Sequence, residues 1–141
     1  MKKNLVKAFA LVVVVVLVSS GSVVFAAGNW SGEASTTTPN WGGITYNNSV
    51  YDGKDTNSGN GSVYATYQTT ALKHEIALTY MNYQSKKVIG SAWAKAEVNS
   101  IKHPSLNLTT YGTTFWSAAK SASLEPTNNT VVKYRFSADN I

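Results

Sequence analysis

The sequence predicts a small all-β domain, an antiparallel β-sandwich of about six strands, that follows a cleaved N-terminal signal peptide. Two observations predict this fold class. Short segments of alternating apolar and polar residues, rich in Tyr, Thr and Val, are separated by turns of Gly, Asn and Ser, and this pattern is typical of strands. In addition, 14 residues between positions 27 and 141 are aromatic, whereas disordered chains contain few aromatic residues.

The first 26 residues have the three parts of a secretory signal peptide. These parts are a basic start at Lys2, Lys3 and Lys7, an apolar run that ends at Val18, and the cleavage motif Val24-Phe25-Ala26. The run is shorter than the roughly 20 apolar residues that span a bilayer, and an uncleaved anchor is the alternative. We therefore predict cleavage after Ala26, a secreted single domain over residues 27–141, and no stable membrane insertion after cleavage.

Charge and cysteine content narrow the class of protein. The signal peptide contains three lysines, so the formal net charge of +5 falls to +2 over residues 27–141. No basic stripe of the kind that binds nucleic acid remains. Cysteine is absent, whereas small exported eukaryotic domains usually carry disulfides. These features indicate a Gram-positive bacterial protein without a nucleic-acid partner.

The predicted strands follow one another along the chain. Residues 27–62 are the least regular part, and they contain one predicted strand near 44–51 between Gly-rich turns. Alternation then predicts strands at 62–68 and at 72–80, the second with its apolar residues and His74 on one face.

The remaining elements are less uniform. Residues 87–98 are predicted as one strand, although their alanines are also compatible with a helix. Residues 106–116 lead into a further strand, 117–125 include a possible helical turn, and alternation at 131–136 predicts a C-terminal strand.

Two segments resemble metal sites but lack part of each motif. His74-Glu75 is half of a zinc-protease motif, but position 78, where the second histidine belongs, is leucine. The turn at 52–61 is rich in oxygen ligands, but Gly59 and Thr66 occupy positions where a calcium loop needs acidic residues. We therefore predict a buried histidine, a plain hairpin loop, no metal and no cofactor.

No motif predicts catalysis. Ser117 and Lys120 match the serine–lysine pair of penicillin-recognising enzymes, but the companion elements of that family are missing. The chain also lacks a nucleophile elbow, a phosphate loop and a paired-carboxylate signature. The sequence therefore predicts a protein that is not an enzyme.

Aromatic residues in the irregular first third are the candidates for ligand binding. Trp30, Trp41, Tyr46 and Tyr51 lie where a small core cannot easily bury them all. Exposed aromatic rings stack on sugars or lie at lipid interfaces. The alternative is that two or more of these rings only close the open end of the sandwich.

Several short motifs, taken in order, resemble the lactococcin nine-seven-two family of secreted bacteriocins. They are Gly28-Asn29-Trp30 after the cleavage site, Tyr64 and Tyr67, Lys73-His74, Trp93-Ala94-Lys95-Ala96 with Val98, Tyr111, and Phe115-Trp116. The most specific of them is the Trp-Ala-Lys-Ala segment. Residues 34–61 and 117–141 depart from the family pattern as an insertion and a C-terminal extension.

The resemblance implies a small β-sandwich antimicrobial protein that binds the cell-wall precursor lipid II and blocks septum formation in related bacteria. We therefore expect a bacteriocin-like protein that binds a cell-envelope component, either lipid II or a wall glycan. One alternative is a wall- or carbohydrate-binding surface module without killing activity. Another is an inhibitor of extracellular enzymes that acts through the 52–61 loop.

Overall fold

The computed structural model describes residues 29–81 and 87–141, and this part of the chain is all-β, as predicted. The predicted signal peptide and its cleavage site lie outside the described residues. Within the described residues no helix is long and apolar enough to cross a membrane. The strands are β1 Ala34–Thr38, β2 Ile44–Gly53, β3 Ser62–Gln68, β4 Glu75–Met81, β5 Lys87–Ile89, β6 Ala94–Lys95, β7 Thr114–Lys120 and β8 Thr130–Ser137.

The strands form two antiparallel sheets that pack as a sandwich. A three-stranded sheet has the order β1-β8-β3, and a five-stranded sheet has the order β2-β7-β4-β5, with β6 also paired to β4. Consecutive strands β1 and β2 belong to different sheets, so the turn at 39–43 crosses between the sheets at one end of the molecule.

The core lies between the two sheets, and the apolar residues that point inward from the strands fill it. On β8, for example, Val132, Tyr134 and Phe136 are buried while Lys133 and Arg135 are exposed. The other fully buried apolar residues of the core are Ala34, Val63, Ala65, Ile76, Leu78, Phe115, Ala119 and Ala138.

A polar layer crosses this core and joins the sheets. The Tyr134 hydroxyl on β8 lies 2.8 Å from Ser117 Oγ on β7 and 3.2 Å from Thr36 Oγ1 on β1. Asn47 Nδ2 on β2 donates to Thr36 Oγ1 at 3.1 Å. Burial raises the pKa of Tyr134, which keeps its hydroxyl protonated. Both sheets therefore share one hydrogen-bonded network.

The long segment 96–113 covers one edge of the three-stranded sheet. Val63 on β3 exchanges backbone hydrogen bonds with Lys102, at 2.9 and 2.8 Å. Ala65 N, further along β3, donates to the Glu97 carbonyl at 3.0 Å. This pairing satisfies backbone groups that an open edge would present to another chain.

Three elements differ from their predictions. Residues 87–98 form two short strands, because the chain leaves the ladder at Gly90 and returns only at Ala94. Residues 117–120 are not helical but continue β7, which pairs with both β2 and β4. The first third also contains β1, which was predicted as irregular because its inward residues are small or polar.

Candidate functional site

One face of the five-stranded sheet points away from the core and carries aromatic rings and lysines. Phe115, Ser117 and Ala119 of β7 are fully buried toward the core, so alternation places Trp116 and Lys120 on the opposite face. The strand register sets Tyr46 of β2 beside Ala118 on that same face. The name outer face is used here for the side chains Tyr46, Tyr51, Lys87, Trp93, Trp116 and Lys120.

A bulge in β2 shapes one half of the outer face. The register between β2 and β7 shifts between Asn47 and Asp52, which leaves residues 48–51 without partners on β7. The Tyr51 ring then lies 6.4 Å from the Trp116 ring, centroid to centroid. Lys87 Nζ lies 5.4 Å from the Trp116 centroid and donates to the Asn47 carbonyl at 2.7 Å. Burial lowers the pKa of Lys87.

The other half of the outer face is organised by Lys120. Its ammonium lies 4.5 Å from the centroid of the Trp93 ring and 3.1 Å from Glu75 Oε2. Glu75 stands directly opposite Lys120 in the β4–β7 ladder. A cation over an aromatic ring at such a site stabilises the pair by about 0.5–1 kcal/mol, so the ring and the lysine hold each other in place.

Two small residues lie beneath the larger side chains of the outer face. Ala77 and Ala118 point to this side of the sheet but are fully buried, so the larger side chains lie over them. Tyr46 and Tyr51 nevertheless remain 42% and 66% exposed. A surface of exposed rings with nearby ammonium groups offers stacking contacts together with positive charge.

The four residues predicted for ligand binding do not form one site. Tyr46 and Tyr51 lie on the outer face, whereas Trp41 lies in the turn between β1 and β2. Trp30 lies against the three-stranded sheet, where its ring contacts Tyr64 edge-on at 4.8 Å. The structure therefore brings together two of the four.

Trp93, Trp116, Lys87 and Lys120 were not among the sequence candidates. The signal for two of them was present, because Trp116 and Lys120 alternate with Phe115, Ser117 and Ala119. The helical turn predicted for residues 117–120 is incompatible with this alternation, so the two residues were not recognised as neighbours on one sheet face. Nothing in the sequence indicated that Lys87 would reach the Asn47 carbonyl, because that contact depends on the β2 bulge.

The residues that resembled metal sites have structural partners. His74 is fully buried, and its Nε2 lies 2.9 Å from Thr130 Oγ1 while Nδ1 lies 3.2 Å from Gln68 Oε1. Burial lowers the pKa of His74, which favours a neutral ring. In the part of the chain that the structure describes, no group of three or more His, Asp or Glu side chains is placed to hold a metal ion.

Comparisons with known proteins returned no match to a protein-family model, a curated protein or a solved structure.

Proposed function

We propose that this protein is a secreted, non-enzymatic binding protein whose outer face holds a glycan of the bacterial cell envelope, in the wall or in the precursor lipid II. One observation carries the proposal: Tyr46, Tyr51 and Trp116 share one face of the five-stranded sheet with two lysines.

The chemistry of this face matches an anionic glycan. The apolar side of a sugar ring stacks on an aromatic ring, and several aromatic rings on one sheet face suit an extended chain of sugars. Lys87 forms no ion pair with the described carboxylates, and its ammonium already stands beside the Trp116 ring. An ammonium in this position pairs with a carboxylate or a phosphate carried by the glycan.

A second candidate function is growth inhibition of related bacteria through binding of lipid II. The observation that favours it is the position of the Trp93–Ala96 segment, which resembles the bacteriocin family most specifically. Trp93 contributes a ring to the outer face, and Ala94–Lys95 forms β6 beside β4. The segment that carries the resemblance therefore contributes a side chain to the proposed binding surface.

Glycan binding is tested by titrating soluble wall fragments into the protein of residues 27–141 while its tryptophan fluorescence is recorded. Replacing Trp116 with alanine removes the central ring, and we expect affinity to fall about tenfold, the equivalent of roughly 1.4 kcal/mol. The matched control is Tyr67→Ala, because Tyr67 is exposed on the opposite sheet with Lys133 at 5.9 Å from its ring. Equal affinity of Trp116→Ala and the parent would refute the proposal.

The second candidate needs a separate assay. Purified protein is spotted on lawns of Gram-positive bacteria, and retention on vesicles that contain lipid II is measured in parallel. We expect an inhibition zone that Trp116→Ala reduces and Tyr67→Ala leaves unchanged. Absence of both a zone and retention would exclude killing through lipid II and would leave wall-glycan binding to be judged by the titration.

A further inference from the structure

Three exposed apolar side chains lie on loops at one end of the sandwich, away from the centre of the outer face. Trp41 is 60% exposed, Leu124 is 77% exposed and Leu72 is 41% exposed. They come from three separate loops, and Leu72 and Leu124 line the same shallow groove. The name apolar tip is used here for these three side chains.

Two of the three loops of the apolar tip, those that carry Trp41 and Leu124, are joined by hydrogen bonds. Trp41 N donates to the Glu125 carbonyl at 2.8 Å, and Gly42 N donates to the Ala122 carbonyl at 3.1 Å. Ser121 Oγ donates to the Pro39 carbonyl at 2.6 Å and accepts from Gly42 N at 3.0 Å. The fold therefore presents Trp41 and Leu124 on two loops that are hydrogen-bonded to each other.

Trp41 is held in a backbone conformation that suits few residues of its size. Its φ is 53°, Gly42 follows with φ 76°, and Gly43 N donates to the Asn40 carbonyl at 3.0 Å. These values describe a turn in which Asn or Gly is strongly preferred at the position of Trp41. Because the indole is mostly exposed, its packing contacts offset little of the energy cost of this backbone conformation. Strain of this kind at an exposed residue is typical of functional positions.

We propose that the apolar tip docks the protein peripherally on an anionic lipid surface. Its three side chains project from separate loops and do not enclose a cavity, which fits a flat, deformable apolar partner. Tryptophan and leucine flanked by lysine are the residues that enter the interface of a bilayer.

Charge supports the same partner. Lys95 lines the groove beside Leu72 and Leu124 and has no ion-pair partner among the described residues, whereas Lys73, also in the groove, is paired with Glu97 at 2.8 Å. Glu75, the acidic residue of the groove, is paired with Lys120. The unpaired Lys95 ammonium gains from a negatively charged lipid surface while it stays in water.

The experiment is co-sedimentation of the protein of residues 27–141 with vesicles of phosphatidylcholine and phosphatidylglycerol in equal amounts. These vesicles carry no glycan, so the result does not depend on the proposed function. Trp41→Asn is the key variant because asparagine suits the turn while removing the apolar ring. We expect it to fold with an unchanged or higher melting temperature and to bind vesicles at least about tenfold more weakly. Leu124→Ser should weaken binding in the same direction, and pure phosphatidylcholine vesicles should bind the parent less.

Tyr67→Asn is the matched control, because it removes an exposed ring from the opposite sheet. Equal sedimentation of the parent and both tip variants would overturn the proposal, and so would failure of the parent to bind the mixed vesicles. A concentration-dependent dimer that Trp41→Asn dissociates would also overturn it, by showing that a second copy of the chain covers the tip.

Discussion

At the scale of single residues, buried polar groups determine how stability depends on pH. Asp52 Oδ2 accepts hydrogen bonds from Ala138 N at 2.7 Å and from Ser137 Oγ at 3.3 Å. Burial raises the pKa of Asp52 from 3.8 to about 6, and the hydrogen bonds offset only part of that rise. The folded protein therefore holds a proton on Asp52 at pH values where the unfolded chain has released it.

This shift predicts a pH-dependent effect of Asp52→Asn. Because the pKa is higher in the folded state, the parent loses stability as pH rises from about 4 to about 6. Asparagine keeps an acceptor oxygen but carries no charge. We therefore expect the variant to be more stable than the parent above pH 6, by about 1–3 kcal/mol, and equally stable below pH 4. Urea unfolding of both proteins at the two pH values measures the difference; a difference that does not change with pH would contradict the prediction.

The candidate site could be predicted only in part at this scale. The excess of aromatic residues over what a small core can bury is visible in the sequence, and Tyr46, Tyr51 and Trp41 are indeed exposed. Which rings share a face depends on strand register and on the β2 bulge, both of which arise from pairing between distant residues. Trp30 and Tyr46 therefore look equivalent in the sequence, but Trp30 packs against the three-stranded sheet and Tyr46 lies on the five-stranded sheet.

At the scale of elements, the strands with apolar alternation were predictable, and so was β2 from the turns that flank it, whereas β1 was not. β3, β4 and β8 place apolar residues inward at every second position. β1 instead points Thr36 and Thr38 into the core, where hydrogen bonds to Tyr134 and Thr130 satisfy their hydroxyls. A strand whose inward residues are threonines has no hydrophobic period, so only its partners reveal it.

Gly90 lies at the break between β5 and β6, where the neighbouring rings leave no room for a side chain. A Cβ on Gly90 would lie 2.6 Å from Tyr80 Cδ1 and 3.2 Å from Phe115 Cε1, so both core rings would have to move. We expect Gly90→Ala to destabilise the fold by about 1–3 kcal/mol through overpacking. Gly59→Ala is the matched control, since a Cβ there meets nothing within 4 Å. Thermal unfolding that shows equal melting temperatures for both variants would refute this account.

At the scale of the whole molecule, the C-terminus closes one end of the sandwich. Lys54 Nζ is buried and donates to the Ala138 carbonyl at 2.8 Å, with Asp139 Oδ1 at 3.5 Å. Asp139 also accepts from Thr56 Oγ1 at 2.6 Å and from the backbone of Asp55 and Thr56. Burial opposes ionisation of Asp139, but these hydrogen bonds and the Lys54 charge lower its pKa overall. The loop after β2 and the chain end therefore form one unit.

Removing the Asp139 carboxylate should lower the free energy of unfolding. Asp139→Ala leaves the buried Lys54 ammonium without its carboxylate, and we expect a loss of about 3–5 kcal/mol. Asp55→Ala is the control, because the Asp55 side chain is exposed and only its backbone contacts Asp139. Adding Lys54→Met to Asp139→Ala should restore part of the loss by removing the uncompensated charge. Equal denaturant midpoints for Asp139→Ala and Asp55→Ala would rule out a stabilising role for the pair.

The segment that covers β3 has a consequence for the route by which the chain folds. Lys102 is far from Val63 in sequence, and contacts of such separation form late. Until these contacts form, the N–H and C=O groups on this edge of β3 are unpaired and can hydrogen-bond to a strand of another molecule. Folding therefore competes with self-association until the segment pairs with β3. We expect a higher yield of folded protein at low protein concentration than at high concentration.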